Sequence, residues 1–213
     1  MTEFEYLLKR SSRRSICVKI GADNSIEVTA PFKASVAEIE RFLFSKRGWI
    51  EKHIKQNNGK LALLSDVIAL KKILVTGYAV PLNIGEKDLF CKDFVAVKDL
   101  SHLKKIYVDN LGGQFLKTFN DIKSQFRFSC GNVSFRDYKS RWGSCFESGN
   151  IVFNYKLLML PEDVQIYVMV HELCHTHEMN HSPKFYEEVA RILPDYKLMQ
   201  KKLKRFSPIV GLY

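Results

Sequence analysis

Four of the chain's six histidines fall within eleven residues, HELCHTHEMNH at 171–181. His171 and His175 frame an H-E-x-x-H pattern. On an α-helix, residues four apart project from one face on successive turns, so the two imidazoles can converge on one ion. Glu172, one residue on, points to the side and is placed to hold a water rather than the metal. Zinc in such a site lowers the pKa of its water towards about 7, and a neighbouring carboxylate can take and relay the proton. The natural reaction is attack of water on a polarised carbonyl. Val164 and Val168 continue the face of His171 and His175 at i, i+4, i+7 and i+11, which turns the histidines towards a core where unpaired imidazoles would need a partner.

A catalytic zinc takes three protein ligands and keeps one position open, whereas a structural zinc takes four. His177 lies about 200° around the helix from His175 and faces away. His181 sits about 9 Å further along the axis, so it joins only if the chain reverses just before it. After THEM carries the helix outward, Asn180 is the best non-glycine candidate for the left-handed conformation that makes the reversal. The assignment is one zinc per chain, held by His171, His175 and His181, with Glu172 catalytic and His177 outside the set. Glu187 and Glu188 are the alternative source of a third ligand, and Cys174 is read as packing.

Elements must position these groups. SICVKI (15–20) and SIEVTA (25–30) alternate around a GADN turn as a hairpin. Ser35 and Glu38 form a capping box for a helix through Phe44, continued by RGWIEKHIKQ, with a loop at 57–60. Alternation recurs over 73–99 with a turn at GEKD. Apolar spacing from Leu103 to Phe126 predicts a long helix, which Gly112 and Gly113 threaten to break. Short strands follow at 132–138, 140–145 and 149–154. Pro161 opens the H-E-x-x-H helix, with Glu162 and Asp163 suited to its dipole. Ser182 and Pro183 start another helix that Pro194 ends, and a last helix follows.

At 213 residues, 46% hydrophobic and 26% charged, the chain has the make-up of a soluble globular protein. No apolar run approaches a membrane span and the N-terminus lacks a signal-peptide layout, so the expected location is cytoplasmic, with no membrane partner. Five scattered cysteines without a CxxC pair argue for buried, reduced thiols rather than a disulfide scaffold. The net charge of +10 is spread as +4, +4 and +2 over residues 1–70, 71–130 and 131–213. The local runs KRSSRR (9–14) and KKLKR (201–205) therefore read as solvated faces more readily than as a nucleic-acid surface.

RWGSC (141–145), GNIVFN (149–154) and HELCHTHEMNHSPKF (171–185) resemble the YgjP-like metallopeptidase domain, a zincin-type group of metal-dependent hydrolases. The resemblance is strongest over 130–205 and extends more weakly to RRSICVKI, the APF at 30–32 and RGWIEKHI. It implies zinc on His171, His175 and His181 and catalysis by Glu172, in agreement with the spacing. Metzincins share the 171–175–181 spacing but carry glycine where this chain has Glu178, and no Met-turn is evident. The implied fold is α+β, with a zincin-like C-terminal metal-site subdomain (small sheet plus H-E-x-x-H helix) and a β-rich N-terminal region. The expected division is 1–100 and 101–213, or one integrated domain.

In zincins the edge strand above the active-site helix pairs with an extended peptide. If residues 140–145 form that strand, Arg141, Trp142, Gly143 and Ser144 contact substrate, with Gly143 permitting close approach. Arg141 could instead anchor a carboxylate or phosphate. The competing reading makes Trp142 core and Gly143 a bulge. Tyr155 and Tyr167 are the candidates for an oxyanion partner. A peptide or protein substrate is favoured. The alternatives are a nucleoside triphosphate met by Arg136, Lys139 and Arg141, a nucleic-acid-targeted protease, and a purely structural metal.

Overall fold

The alternating apolar residues of the N-terminal third fold as a hairpin. Strands β2 (Cys17–Ile20) and β3 (Ile26–Pro31) run antiparallel with Val18 opposite Val28. The computed structural model describes residues 4–21, 24–63, 67, 69 and 71–212, so Ala22 and Asp23 of the expected turn lie outside the described residues. Strand β1 (Leu7–Ser11) adds to the other edge of β3 in parallel. Part of the KRSSRR run is thus a strand. Lys9 pairs with Glu27 at 2.7 Å, and the Arg10 guanidinium donates to the Pro31 and Ala34 carbonyls.

Helix α1 (Val36–Ser45) begins with the expected capping box. The Ser35 hydroxyl accepts from the Glu38 amide, and the Glu38 carboxylate accepts from the Ser35 amide. Ile39 and Leu43 of α1 close over Val28, Ala30 and Ile50 to make a small core. Helix α2 (Arg47–Leu63) starts after a break at Lys46 and runs through 57–60, where a loop was expected. An interior glycine disfavours a helix by only about 1 kcal/mol, which does not stop one already running.

Contacts divide the chain into two units, Met1–Ser65 and Asp66–Tyr213. The division falls after Ser65 rather than near residue 100, so the strands of 72–97 share a unit with the histidine helix. Strands β4 (Lys72–Val75) and β5 (Tyr78–Ile84) are joined by Thr76 and Gly77, both at positive φ, the requirement of the tight hairpin turn that matches strand twist. Gly77 also admits Pro161, since a Cβ there would lie 2.7 Å from the proline ring, and its amide donates to the Met159 carbonyl. Strand β7 (Val95–Val97) pairs in parallel with β5, and β6 (Leu89–Phe90) completes the sheet against β7.

Helix α3 (Leu103–Gln125) passes through Gly112 and Gly113 unbroken. Its Phe115 and Phe119 meet the ring of Phe153 edge-on at 5.0 and 5.6 Å. Phe153 belongs to the third sheet, whose order is β8 (Val133–Arg136), β10 (Ile151–Asn154), β9 (Gly143–Cys145). Strand β10 is buried at every position, and β9 forms one edge. A 3-10 segment (Tyr155–Met159) leads into α4 (Glu162–Cys174), with Pro161 at the cap position, one residue earlier than expected. Helices α5 (Pro183–Ile192), α6 (Tyr196–Arg205) and α7 (Ser207–Val210) follow. The class is mixed α+β, with three small sheets among the described residues. No helix among them is long and apolar enough to cross a membrane. All five cysteines are free; only Cys174 is buried, while the other four are half-buried, against the expectation that most would be inside.

Candidate metal centre

Helix α4 buries Val164, Val168, Glu172 and Leu173, which turns its histidine face inwards. His171 Nε2 lies 3.2 Å from His175 Nε2 and 3.1 Å from His181 Nε2. The three rings each offer a nitrogen within 4.8 Å of the others. Three nitrogens about 2.0–2.1 Å from one tetrahedral ion stand roughly 3.3 Å apart, so the spacing fits a single zinc-sized ion. Burial pushes the His171 pKa down to about 3, with His175 and His181 adding to it, and burial likewise lowers His175. Neutral imidazole is the form that binds a metal.

The reversal that returns His181 is not made by Asn180. Residues 175–181 contain no positive φ, and α4 ends at Cys174 rather than running on through THEM. The helix tightens instead: the Thr176 and His177 amides donate three residues back, to Leu173 and Cys174, and the Thr176 hydroxyl donates to the Leu173 carbonyl. His175 Nδ1 lies 3.0 Å from the Glu178 carbonyl. A proton held on Nδ1 by that carbonyl leaves Nε2 free as a ligand atom. Glu178 thus serves the site through its backbone, which its side chain does not prevent.

His177 stands apart, hydrogen-bonded to Glu188 at 2.9 Å and packed on the ring of Phe128 at 4.9 Å. Glu188 is thereby committed elsewhere, and Glu187 is exposed. A residue that spacing did not single out for the site is Phe185. Fully buried at the start of α5, its ring lies 4.9, 4.5 and 5.0 Å from the rings of His171, His175 and His181. Ser182 caps α5 by accepting from the Phe185 amide, so the turn that delivers His181 also sets this pedestal.

Glu172 is 5% exposed and packs against β9. A Cβ at Gly143 would sit 2.6 Å from its Oε1. Gly143 is therefore not a bulge, and the side chain its missing Cβ makes room for is the Glu172 carboxylate. Burial pushes the Glu172 pKa up to about 7, against the downward pull of the Cys145 backbone N–H and of Arg141. Trp142 O accepts from the Asn154 amide and the Phe146 amide donates to Asn150, so the backbone groups of Gly143 and Cys145 face away from β10. The Cys145 N–H is the one that reaches Glu172.

Beside Glu172 and His171 is a pocket of about 200 Å³, lined by Arg141, Trp142, Gly143, Tyr167, Val168 and Leu203. Ser144, opposite Val152, is not part of it. Tyr167 borders the pocket, whereas Tyr155 is buried against Tyr107 and does not. Of Arg136, Lys139 and Arg141, only Arg141 lines it, and Lys139 is paired with Asp137. A larger concavity of about 730 Å³, between Thr76–Tyr78, α3 and the first turns of α4, includes neither the histidines nor Glu172, so size does not mark the chemistry here.

The family model for the YgjP-like metallopeptidase domain matches residues 14–206. The crystal structure of the metallopeptidase zymogen of Pyrococcus abyssi abylysin is 23% identical over 42% of this chain and 90% of its own, with a TM-score of 0.39. No curated protein matches.

Proposed function

This chain belongs to the YgjP-like metallopeptidase family, and from that premise we propose that it is a zinc-dependent peptidase in which His171, His175 and His181 hold the ion and Glu172 is the general base. The observation that carries the proposal is the convergence of three imidazole nitrogens within 4.8 Å of one another, beside a buried carboxylate. Zinc held by His171, His175 and His181 would supply Lewis acidity to a carbonyl and to a water. The chain's own residues do the rest. Glu172 takes the proton of the attacking water and returns it to the leaving amine, a task suited to a carboxyl held near pH 7. Cys145 N–H orients that carboxylate, and the outward backbone of Gly143 is available to an extended peptide along the edge of β9. Phosphate chemistry is less well served, since Arg141 is the one basic side chain lining the pocket.

One experiment tests these roles together. Protein purified without chelator should hold about one zinc per chain. Glu172→Gln should keep the zinc and lose peptide cleavage by about 10²–10⁴-fold. His181→Ala should lose zinc, while His177→Ala keeps it. Cleavage by Glu172→Gln at the wild-type rate, or zinc lost from His177→Ala alone, would overturn the assignment.

A further inference from the structure

The pocket beside Glu172 is lined by apolar and aromatic side chains together with one exposed arginine. Trp142, Tyr167, Val168 and Leu203 are apolar or aromatic, and Tyr167 and Val168 are buried. The Tyr167 phenol is engaged by the Gln200 side chain, which leaves its ring as wall. Arg141 is exposed and close enough to pull the Glu172 carboxyl downward. A cavity of about 150 Å³ holds a benzene ring. At about 200 Å³, this one takes a single side chain of leucine to phenylalanine size and is too small for a whole ligand.

We propose that this pocket is the specificity subsite of the enzyme, receiving one uncharged apolar side chain of a peptide next to the scissile bond, with Leu203 setting its depth. The inference rests on the peptidase reading. Its geometry follows from where the walls come from: Trp142 and Gly143 belong to the edge segment, Tyr167 and Val168 to α4 one turn before His171, and Leu203 to α6. A side chain in the pocket is held within reach of Glu172 and His171, both of which line it. Arg141 at the same pocket disfavours lysine and arginine by like charge. Leu203 is half-buried and its helix contributes no residue to the buried core, so its replacement changes the pocket and spares the core.

The test uses the full chain loaded with zinc and two variants, Leu203→Trp and Leu203→Ala, each checked for wild-type zinc content and circular dichroism. In a randomised peptide library, wild type should prefer Leu, Met or Phe at one position flanking the cut. Leu203→Trp should shift that position to Ala or Gly, and Leu203→Ala should shift it towards Phe and Trp. If Leu203→Trp fails to fold, Leu203→Ala carries the comparison. A second arm measures binding of leucine and alanine hydroxamates by calorimetry. Wild type should bind the leucine probe about tenfold tighter, and Leu203→Trp should reverse the order. Peptides cleaved with a preference unmoved in both variants, or a preference for Lys or Arg, would sink the subsite and leave the peptidase standing. No cleavage, with hydroxamate selectivity that follows residue 203, would sink the peptidase and leave the subsite. Equal binding of both hydroxamates by wild type overturns the subsite in either case.

Discussion

Glu172 and Gly143 occupy each other's space, and the smallest change to the pair is a methyl group. In Gly143→Ala the added carbon would meet Oε1 at 2.6 Å, so the carboxylate must move. A displacement of about 1 Å in a catalytic group lowers a rate on the order of 10²-fold. Peptide turnover by Gly143→Ala should fall by that factor with zinc content unchanged; turnover at the wild-type level would mean that Glu172 does not act from this position. Phe185 is the other residue whose weight came from contacts rather than spacing. Phe185→Leu removes the ring shared by all three imidazoles and should weaken zinc binding by about 10–100-fold, read by chelator competition. The histidine pattern was legible because 3.6 residues per turn dictates which side chains meet. Gly143 with Glu172, and Phe185 with the triad, were not, because they depend on how strand, helix and turn approach in space.

At the scale of elements, periodicity and capping chemistry carried well. The hairpin of β2 and β3, the Ser35–Glu38 box, the length of α3 and the Ser182 cap all follow from local rules. Termination of α4 did not, because three-residue turns and the Thr176 hydroxyl end a helix without a residue of special conformation. The 3-10 segment after β10 likewise does not follow from periodicity, although it holds a wholly buried charge. Lys156 is 0% exposed; its Nζ donates to the Val210 carbonyl at 3.0 Å and pairs with Asp137 at 2.8 Å. Burial pushes the Lys156 pKa down against the pull of Asp137. Burial pulls Asp137 up, but Lys156 and Lys139 outweigh it and leave the carboxyl below its usual value. A depressed carboxyl contributes stability that is present above its unfolded pKa near 3.8 and lost as pH falls through the lower folded value. Lys156→Met leaves the Val210 carbonyl unpaired and Asp137 to Lys139 and water. It should lower unfolding stability by about 1–3 kcal/mol in a urea titration, with the Asp137 share kept small because that group is partly solvated. An unchanged midpoint would mean the anchor of α7 lies elsewhere.

For the whole molecule, the division after Ser65 decides what the metal can report. The wide spread of positive charge hid two facts about the basic runs. Arg10 serves β1 and its neighbours, and in KKLKR Lys202 pairs with Asp163 while Leu203 turns to the pocket. Neither run presents its residues as a uniform cationic face, and composition alone could not separate them. Likewise, strands β4 to β7 resemble the N-terminal strands in pattern but belong with α3, because the Tyr107 hydroxyl donates to the Leu74 carbonyl and Gly77 receives Pro161. Every residue proposed for the metal, the base and the pocket is in Asp66–Tyr213. An ion that binds only the folded form stabilises it by about 2.7 kcal/mol at a free concentration a hundredfold above Kd. Adding zinc to chelator-stripped protein should therefore slow amide hydrogen exchange most in α4, the 175–182 turn and α5, and leave β1 to β3 and α1 at their metal-free rates. Equal protection in both units would show that the metal couples them as one cooperative body. No change in either would remove the three histidines as its site.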